Sequence, residues 1–442
     1  MAGGAALTCI LIPAVAGTGT PPQPAPNPSG IALTYTRKKN IDPNNPFFQS
    51  LGTNGRTCAT CHAENSGWSL TPPEIEARFT ATDGLDPLFR SNDGTTSPGA
   101  DVSTVDARRE AYRLLRTRGL IRVGLPIPAG AEFSLDAVDD PYQHASAAEL
   151  SLFRRPLPAT NLKFQSTVMW DGRQTTPGNS VTQNLTSQAL DATRGHAQSA
   201  VDPSPAVLKQ IVDFEFGLFT AQVSDSIAGT LITDGGKGGP KALSSERYKE
   251  GINNPFVTRP RFNEQAFSLF SGFTRGRRID PNRAAARASI ARGELSFNRK
   301  TFPVSGVSGL NDVQSKPVMT VTCTTCHNTP NEGGSSINAL MDLGLSVPEL
   351  RTSDVPLYTL RNLTTNDVVQ TTDPGRALIT GKWQDLNRFK VPSMRGLSAR
   401  APYFHNGSAA TLREVVEFYR DRFDIPYTEQ EIQDLVAFLR SL

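Results

Sequence analysis

The five-residue pattern C-x-x-C-H occurs twice in this chain of 442 residues, at positions 58–62 and again at positions 323–327. Two thiols at this spacing can form thioether bonds to the vinyl groups of a porphyrin, and the histidine that follows can coordinate its iron from one side. The attachment residues are Cys58, Cys61, Cys323 and Cys326, and the iron ligands are His62 and His327. The motifs therefore predict two covalently bound haem c groups in an exported redox protein.

Two other uses of these cysteines agree less well with the pattern. A zinc site would need four ligands that converge from both motifs, and a thioredoxin-like site would need a reactive dithiol in a βαβ setting. A histidine stands at the same place in both motifs, which favours haem attachment. The only other cysteine is Cys9 in the N-terminal apolar segment, so a processed chain has none left for disulfides.

The length of the chain exceeds a usual single core and suggests two or three domains. We predict an N-terminal haem domain over residues 31–280, with an insertion at about 64–150, and a C-terminal haem domain over 281–442. The formal net charge is only +3, and hydrophobic residues make up 38% of the chain, as in soluble globular proteins. No basic run indicates a nucleic-acid site.

The most apolar stretch covers residues 5–17 and is followed by a Pro-rich segment at 20–30. It is too short to cross a bilayer, and it ends in small residues suited to cleavage. We therefore predict that residues 1–30 are a signal peptide and a Pro-rich linker, and that the protein is periplasmic or otherwise exported. No positive charge precedes the apolar run, and Cys9 leaves a lipoprotein as an alternative.

The clearly periodic segments of the chain are helical. They cover residues 105–118, 205–222 and 282–297, and a last helix begins at Thr428, where Thr428 and Glu431 form a capping box. No series of alternating strands is evident in the sequence. We therefore predict a mainly α fold, with two cytochrome c-type haem domains and long loops.

Two further segments carry a family resemblance. Met-Trp-Asp-Gly-Arg lies between the motifs at 169–173, and Ala-Pro-Tyr-Phe-His-Asn-Gly follows them at 401–407. With the two C-x-x-C-H motifs, the chain resembles the bacterial dihaem cytochrome c peroxidases, a family that includes the MauG-type enzymes. The resemblance implies that peroxide reacts at the N-terminal haem, that the C-terminal haem passes electrons, and that Trp170 lies between them. The alternative for Trp170 is an ordinary core aromatic.

The distal side of the first haem differs from the family pattern. Many relatives carry a histidine before the Trp-Asp-Gly-Arg segment that blocks the first iron until reduction, whereas residues 151–156 contain none. His144 lies further upstream and is better explained as a loop histidine. We therefore expect an open first haem without reductive activation.

Gln188 and His196 are the candidates for peroxide chemistry. In a helix they would lie roughly 80° apart, on one broad face, although Gly195 weakens that assumption. Peroxide cleavage needs a group that takes a proton and returns it, beside a polar neighbour that stabilises charge. The family uses a glutamate near a glutamine, and here His196 replaces the glutamate, since its usual pKa of about 6.5 suits proton transfer. A capping or surface histidine is the alternative.

The resemblance also bears on the second haem. Tyr419 occupies the position where the peroxidases place an axial methionine, and MauG-type enzymes have a tyrosine there, which stabilises oxidised iron. His405 is the competing sixth ligand, followed by Met394 or an open site.

The family binds calcium between its haems. Pro402 and Asn161 match two of the calcium positions, but Arg400 replaces a threonine ligand, and its guanidinium could supply the positive charge itself.

Three functions are consistent with these observations. The first is a periplasmic peroxidase that receives electrons from a small donor protein or an organic reductant. The second is a MauG-like oxidase that withdraws electrons from a protein or an organic substrate, and the third is a non-catalytic electron carrier with two six-coordinate irons.

Overall fold

The computed structural model describes residues 19–274 and 280–442. The apolar core of the predicted signal peptide and Cys9 lie outside these residues. No helix among the described residues is both long enough and apolar enough to cross a membrane.

The described residues form eleven α-helices, thirteen strands and several short 3₁₀ turns. The helices are α1 (Pro72–Thr82), α2 (Val105–Ala111), α3 (Arg113–Arg118), α4 (Val181–Gly195), α5 (Pro205–Phe216), α6 (Pro240–Ser245), α7 (Pro281–Arg299), α8 (Cys323–Cys326), α9 (Ala377–Thr380), α10 (Leu412–Arg422) and α11 (Glu429–Arg440). The strands are β1 (Ala25–Asn27), β2 (Gly30–Thr36), β3 (Ile121–Leu125), β4 (Phe133–Asp139), β5 (Leu150–Arg154), β6 (Leu218–Asp225), β7 (Gly229–Thr230), β8 (Phe302–Ser305), β9 (Val318–Val321), β10 (Leu340–Met341), β11 (Leu357–Asn362), β12 (Val368–Thr371) and β13 (Phe389–Lys390).

The strands contradict the prediction of a mainly α fold. Helices account for 31% of the structure and strands for 17%, arranged in several small sheets. In β2 the buried positions are Ala32, Thr34 and Thr36, which are small or polar. The larger side chains, Ile31, Leu33 and Tyr35, alternate with them on the less buried face, so the strand does not show the usual pattern of buried apolar and exposed polar positions.

The largest sheet is antiparallel, with strand order β1-β2-β6-β7. It also corrects the predicted helix at 205–222, because α5 ends at Phe216 and Leu218 begins β6 after Gly217. Pairing of Leu218 with Thr36 and of Thr220 with Thr34 continues the sheet. Pairing with β2 therefore overrides the local helical pattern in the last residues of that segment.

The other helical predictions agree closely with the structure. The segment 105–118 forms α2 and α3, with a break at Tyr112, and α7 extends the predicted 282–297 by a few residues at its ends. Thr428 caps α11 with the predicted capping box to Glu431. These helices are specified by local capping and periodicity.

Two hydrophobic cores support the two motifs. One contains Phe47, Trp68, Leu185 and Ile211 and packs against Cys58. The other joins α7, α10 and α11 to the segment 266–273 and packs against Cys323. Strand β4 pairs with β11 in the sheet β12-β11-β4, which ties the segment 64–150 to the C-terminal half of the chain.

Candidate functional site

The two C-x-x-C-H motifs have the same local structure. Thr57 precedes the first motif, and its N–H donates to the hydroxyl of Thr60 at 2.9 Å. Thr322 precedes the second, and its N–H donates to the hydroxyl of Thr325 at 3.1 Å. Each threonine pair caps a single helical turn that carries the two cysteines. The turn brings both thiols and the following histidine to one side of the chain.

Both motif histidines are fixed through Nδ1. His62 lies 3.1 Å from the carbonyl oxygen of Trp68, and His327 lies 2.6 Å from that of Gly333. A carbonyl only accepts, so Nδ1 carries the proton and Nε2 keeps its lone pair for a metal. Burial lowers the pKa of each histidine to about 4, which favours the neutral imidazole that a metal requires.

The cysteines do not resemble a reactive dithiol or a zinc site. Burial raises the pKa of Cys61 and of Cys323 to about 11, so the free thiols resist ionisation. None of the four motif cysteines forms a disulfide. Within residues 19–274 and 280–442, no group of three or more His, Cys, Asp or Glu side chains is arranged to hold a metal ion.

A cavity of about 180 Å³ lies beside the first motif, and we call it the first cavity. Cys58, Cys61 and His62 line it together with Gln188 and His196. Helix α4 continues through Gly195, and His196 is its C-terminal cap, so both predicted residues lie along one wall. His144 is not among the residues that line this cavity. The structure therefore brings Gln188 and His196 to the cavity of the first motif.

The imidazole of His196 is paired with Asp93. Its Nδ1 contacts Oδ2 of Asp93, whose other oxygen lies 2.5 Å from the guanidinium of Arg56. Burial opposes ionisation of Asp93, but the hydrogen bond and charge of His196 and the charge of Arg56 lower its pKa below the usual value. Sequence reasoning missed Asp93 because no motif marks it and it lies 103 residues from His196.

Gln188 and Glu215 are two polar residues of the first cavity whose side chains have no hydrogen-bond partner among the described residues. The amide of Gln188 and the carboxyl of Glu215 both line the cavity, and neither accepts or donates a side-chain hydrogen bond within the described part of the chain. Burial alone raises the pKa of Glu215 to about 8. Sequence reasoning also missed Glu215, which the apolar face of α5 conceals.

A second cavity, of about 230 Å³, lies beside the second motif. Cys323, Cys326 and His327 line it, and both predicted sixth ligands, His405 and Tyr419, line it as well. The structure therefore brings all five predicted C-terminal site residues to one cavity.

His405 is tightly enclosed. Its ring is 1% exposed and stacks on Phe389 with 3.9 Å between ring centroids. Nε2 lies 3.4 Å from the hydroxyl of Ser346 and 4.0 Å from the carboxylate of Asp373, whereas Nδ1 has no hydrogen-bond partner among the residues that the structure describes. Burial lowers the pKa of His405 to about 4. Nε2, the histidine nitrogen that most often binds metals, therefore points to Ser346 and Asp373.

Tyr419 has a different environment. It lies on α10, and its hydroxyl has no hydrogen-bond partner among the described residues. Burial raises its pKa, and the neighbouring Cys326 and Cys323 raise it further. Met394 also lines the second cavity, but its sulfur packs against Gly333, the residue whose carbonyl holds His327. The sulfur of Met394 thus lies beside the residue that holds His327.

Trp170 belongs to the wall between the two cavities and lines both of them. Its Nε1 donates to the carbonyl of Arg155 at 2.8 Å, and the N–H of Arg155 donates to the carbonyl of His405 at 2.7 Å. The rings of Trp170 and His405 are 6.2 Å apart. The next residue, Asp171, is anchored by Arg154 at 2.5 Å and Arg173 at 2.9 Å.

Buried cations surround the same wall. Arg155 and Lys390 line both cavities, and Arg400 lines the second. Burial lowers the pKa of Lys390 to about 8, and burial together with the charge of Arg400 lowers that of Arg155 to about 9. Buried charges need counter-charges, and the carboxylate side chains of haem would supply them. The neutral histidines, the paired thiols and these cations together fit haem c.

The residues that match a calcium site do not fit calcium. Asn161 uses its amide at both ends, donating to the carbonyl of Thr220 at 3.0 Å and accepting from the N–H of Thr220 at 2.9 Å. The guanidinium of Arg400 donates to the carbonyls of Arg395 at 2.6 Å and Gly396 at 3.2 Å. The guanidinium of Arg400 thus stands where the family has a threonine ligand, and the amide of Asn161 is already engaged, so these two residues do not favour calcium.

Comparison with curated proteins identifies relatives among the bacterial cytochrome c peroxidases. The chain is 35% identical over 121 residues to the cytochrome c551 peroxidase of Nitrosomonas europaea, a match that covers 27% of this chain and 30% of that protein. It is 32% identical over 135 residues to the cytochrome-c peroxidase IdrP2 of Denitromonas iodatirespirans, covering 27% and 35%. It is 32% identical over 123 residues to the cytochrome c peroxidase Ccp of Escherichia coli, covering 27% and 22%.

The chain thus spans about a third or less of the length of the curated relatives it matches. No protein-family model matches it. The predicted resemblance to the bacterial cytochrome c peroxidases is confirmed by these relatives, and their names imply a haem c cofactor.

Proposed function

We propose that this relative of the bacterial cytochrome c peroxidases is an exported dihaem enzyme that reduces hydrogen peroxide to water. Two electrons and two protons convert one peroxide molecule to two water molecules. Peroxide would react in the first cavity, and electrons would enter through the second. The observation that supports this proposal most directly is that His62, Gln188 and His196 together line the first cavity.

His196 is suited to move the proton in this reaction. Nδ1 faces Asp93, so Nε2 is the nitrogen that can accept the proton of the near peroxide oxygen and return it to the leaving oxygen. Gln188 is a neutral donor on the same wall, and its unpaired amide can stabilise the charge that develops as the bond breaks. Haem, when bound through Cys58, Cys61 and His62, supplies the electrons and the iron at which peroxide binds.

Trp170 is the proposed electron relay. It lines both cavities, and its indole lies in the wall that separates them. An aromatic ring at this place divides one long electron-transfer step into two shorter ones. The electron donor would be a small redox protein or an organic reductant, and the periplasm is the compartment that suits both c-type haem and such donors.

Steady-state peroxide consumption with a reduced small cytochrome tests this function on the holo-protein. Rapid turnover is expected, and His196→Ala should lower kcat/KM by about 10²–10⁴-fold, the usual contribution of a general acid–base group. A pyridine haemochrome assay should give two haems per chain. Negligible turnover in the wild type would contradict the peroxidase.

A MauG-like oxidase is the second candidate, and the observation that favours it is Tyr419 in the second cavity without a hydrogen-bond partner. Tyrosinate ligation would stabilise oxidised iron, so oxidising equivalents could be held while electrons are withdrawn from a protein or organic substrate. A long-lived oxidised state after peroxide addition, with negligible turnover, would favour the oxidase. A ferric spectrum without any high-spin component would instead favour an electron carrier.

A further inference from the structure

Two consecutive residues of the segment 64–150 hold the C-terminal end of α4. The side-chain amide of Asn92 donates to the carbonyl of Gly195 at 3.0 Å, and the carboxylate of Asp93 contacts Nδ1 of His196. On the other side of the backbone, the amide of Asn54 donates to the carbonyl of His196 at 2.8 Å. The end of this helix is therefore fixed by polar contacts to distant parts of the chain.

Asp93 is itself immobile. It is 5% exposed, and its carboxylate is paired with Arg56, which is 3% exposed. The guanidinium of Arg56 also donates to the carbonyls of Pro87 at 2.9 Å and Leu88 at 2.8 Å. Rotation of Asp93 would leave a buried guanidinium without its counter-charge, which is costly. The carboxylate is thus held in one position next to Arg56 and His196, two residues that line the first cavity.

The imidazole ring of His196 needs a hydrogen-bond partner that is held in one position. Its side chain is 39% exposed, so packing alone does not select one orientation of the ring. An ionised carboxylate accepts hydrogen bonds only, and it therefore keeps the proton on Nδ1 and leaves the lone pair on Nε2. Without this partner, the imidazole would sample other rotamers and the opposite tautomer.

We propose that Asp93, fixed by Arg56, is a positioning residue that orients His196 for proton transfer in the first cavity. The segment 64–150 therefore completes the site. This inference rests on the proposed function, because it deepens the role of His196 in peroxide reduction.

The rate at which cyanide binds to the ferric holo-protein tests the inference without peroxide turnover. Hydrogen cyanide, like hydrogen peroxide, must give up a proton when it binds iron, so a correctly oriented base accelerates it. Asp93→Asn should slow cyanide association and peroxide consumption at least about tenfold, within the range supplied by general acid–base catalysis. In a His196→Ala background, Asp93→Asn should cause no further slowing.

Asp86→Asn is the matched control. Asp86 pairs with Arg78 at 2.5 Å in the same segment and does not line the first cavity. This variant should bind cyanide at the wild-type rate. If Asp93→Asn loses haem absorbance, Asp93→Glu keeps the charge opposite Arg56 but displaces the carboxylate, and it should slow cyanide binding as well.

A wild-type cyanide rate in both Asp93 variants, or equal slowing with and without His196, would overturn the inference. Failure of the proposed function would give a different experimental result from failure of this inference. If peroxide is not consumed but cyanide binding still depends on Asp93 through His196, the positioning role stands and the peroxidase does not.

Discussion

Both motif histidines are held by a carbonyl six residues further along the chain, Trp68 for His62 and Gly333 for His327. The same hydrogen bond thus sets the tautomer of both histidines, so the two cavities differ in their other lining residues. The first cavity has a histidine paired with a carboxylate, whereas the second has Tyr419 and an enclosed His405. Residue-scale chemistry makes two similar attachment sites unequal.

The sixth ligand of the second haem is tested by Tyr419→Phe. If Tyr419 coordinates iron, the electron paramagnetic resonance signal of one ferric haem should change and that of the other should remain. His405→Gln is the comparison variant and should leave both signals near wild type, because Nε2 of His405 faces Ser346 and Asp373. The reverse result would assign the ligand to His405.

The buried carboxyl of Glu215 predicts a pH dependence of stability. Burial raises its pKa from 4.5 to about 8, so the folded protein binds this proton more tightly than the unfolded chain does. The stability that this raised pKa contributes is fully present below pH 4.5, and it is lost as the pH rises toward 8. Glu215→Gln should therefore stabilise the holo-protein by about 1–3 kcal/mol at pH 8, with a smaller gain at pH 5.

Urea denaturation between pH 5 and pH 9 measures this difference. Glu264→Gln is the control, because Glu264 is exposed and should show no such trend. A constant difference between Glu215→Gln and the wild type across the range would contradict the assignment.

At the scale of elements, the crossing of α7 and α11 supports the second motif. Gly293 lies where the helices touch, and a Cβ placed there would be 1.9 Å from the carbonyl oxygen of Asp434. Beside it, Arg292 pairs with Asp434 at 2.7 Å. The absence of a side chain allows close approach of the backbones, and the ion pair sets the register of the two helices.

Gly293→Ala tests this contact. Alanine favours a helix by about 1 kcal/mol over glycine, but the clash should outweigh that gain and lower the free energy of unfolding by about 1–3 kcal/mol. Gly195→Ala at the end of α4 is the matched control, because a Cβ there meets nothing within 4 Å and should be neutral or stabilising. Equal effects in thermal unfolding would contradict the packing argument.

At the scale of the molecule, one wall separates the two cavities. Trp170 lies in this wall. Lys390 donates to the carbonyl of Thr167 at 2.8 Å. The buried ion pair of Arg154 and Asp373, 2.7 Å apart, supports the wall. The chain closes the wall by bringing residues near 155, 170 and 390 together. Trp170, Arg155 and Lys390 line both cavities, so this wall offers a direct route between them.

Trp170→Phe should therefore uncouple the two haems. In stopped-flow measurements, peroxide added to the reduced wild type should oxidise both haems together, whereas oxidation of the second haem should lag in the variant. Trp383→Phe is the control, because Trp383 packs in a separate core away from both cavities. Unchanged kinetics in Trp170→Phe would exclude the relay.

The sequence by itself predicted the two C-x-x-C-H motifs as attachment sites, and it predicted the cap of α11, which the structure confirms, since both depend on neighbours within a few positions. It paired Gln188 with His196 on the condition that their segment is helical, and in the structure α4 ends at Gly195, His196 caps it, and both residues line the first cavity. It did not predict the sheets, because Ala32, Thr34 and Thr36 bury little apolar surface and pairing across the chain decides their conformation. Nor did it identify Asp93, whose contact with His196 spans 103 residues. Covalent spacing and capping are local, but ion pairs, strand partners and the wall around Trp170 form only when distant segments meet.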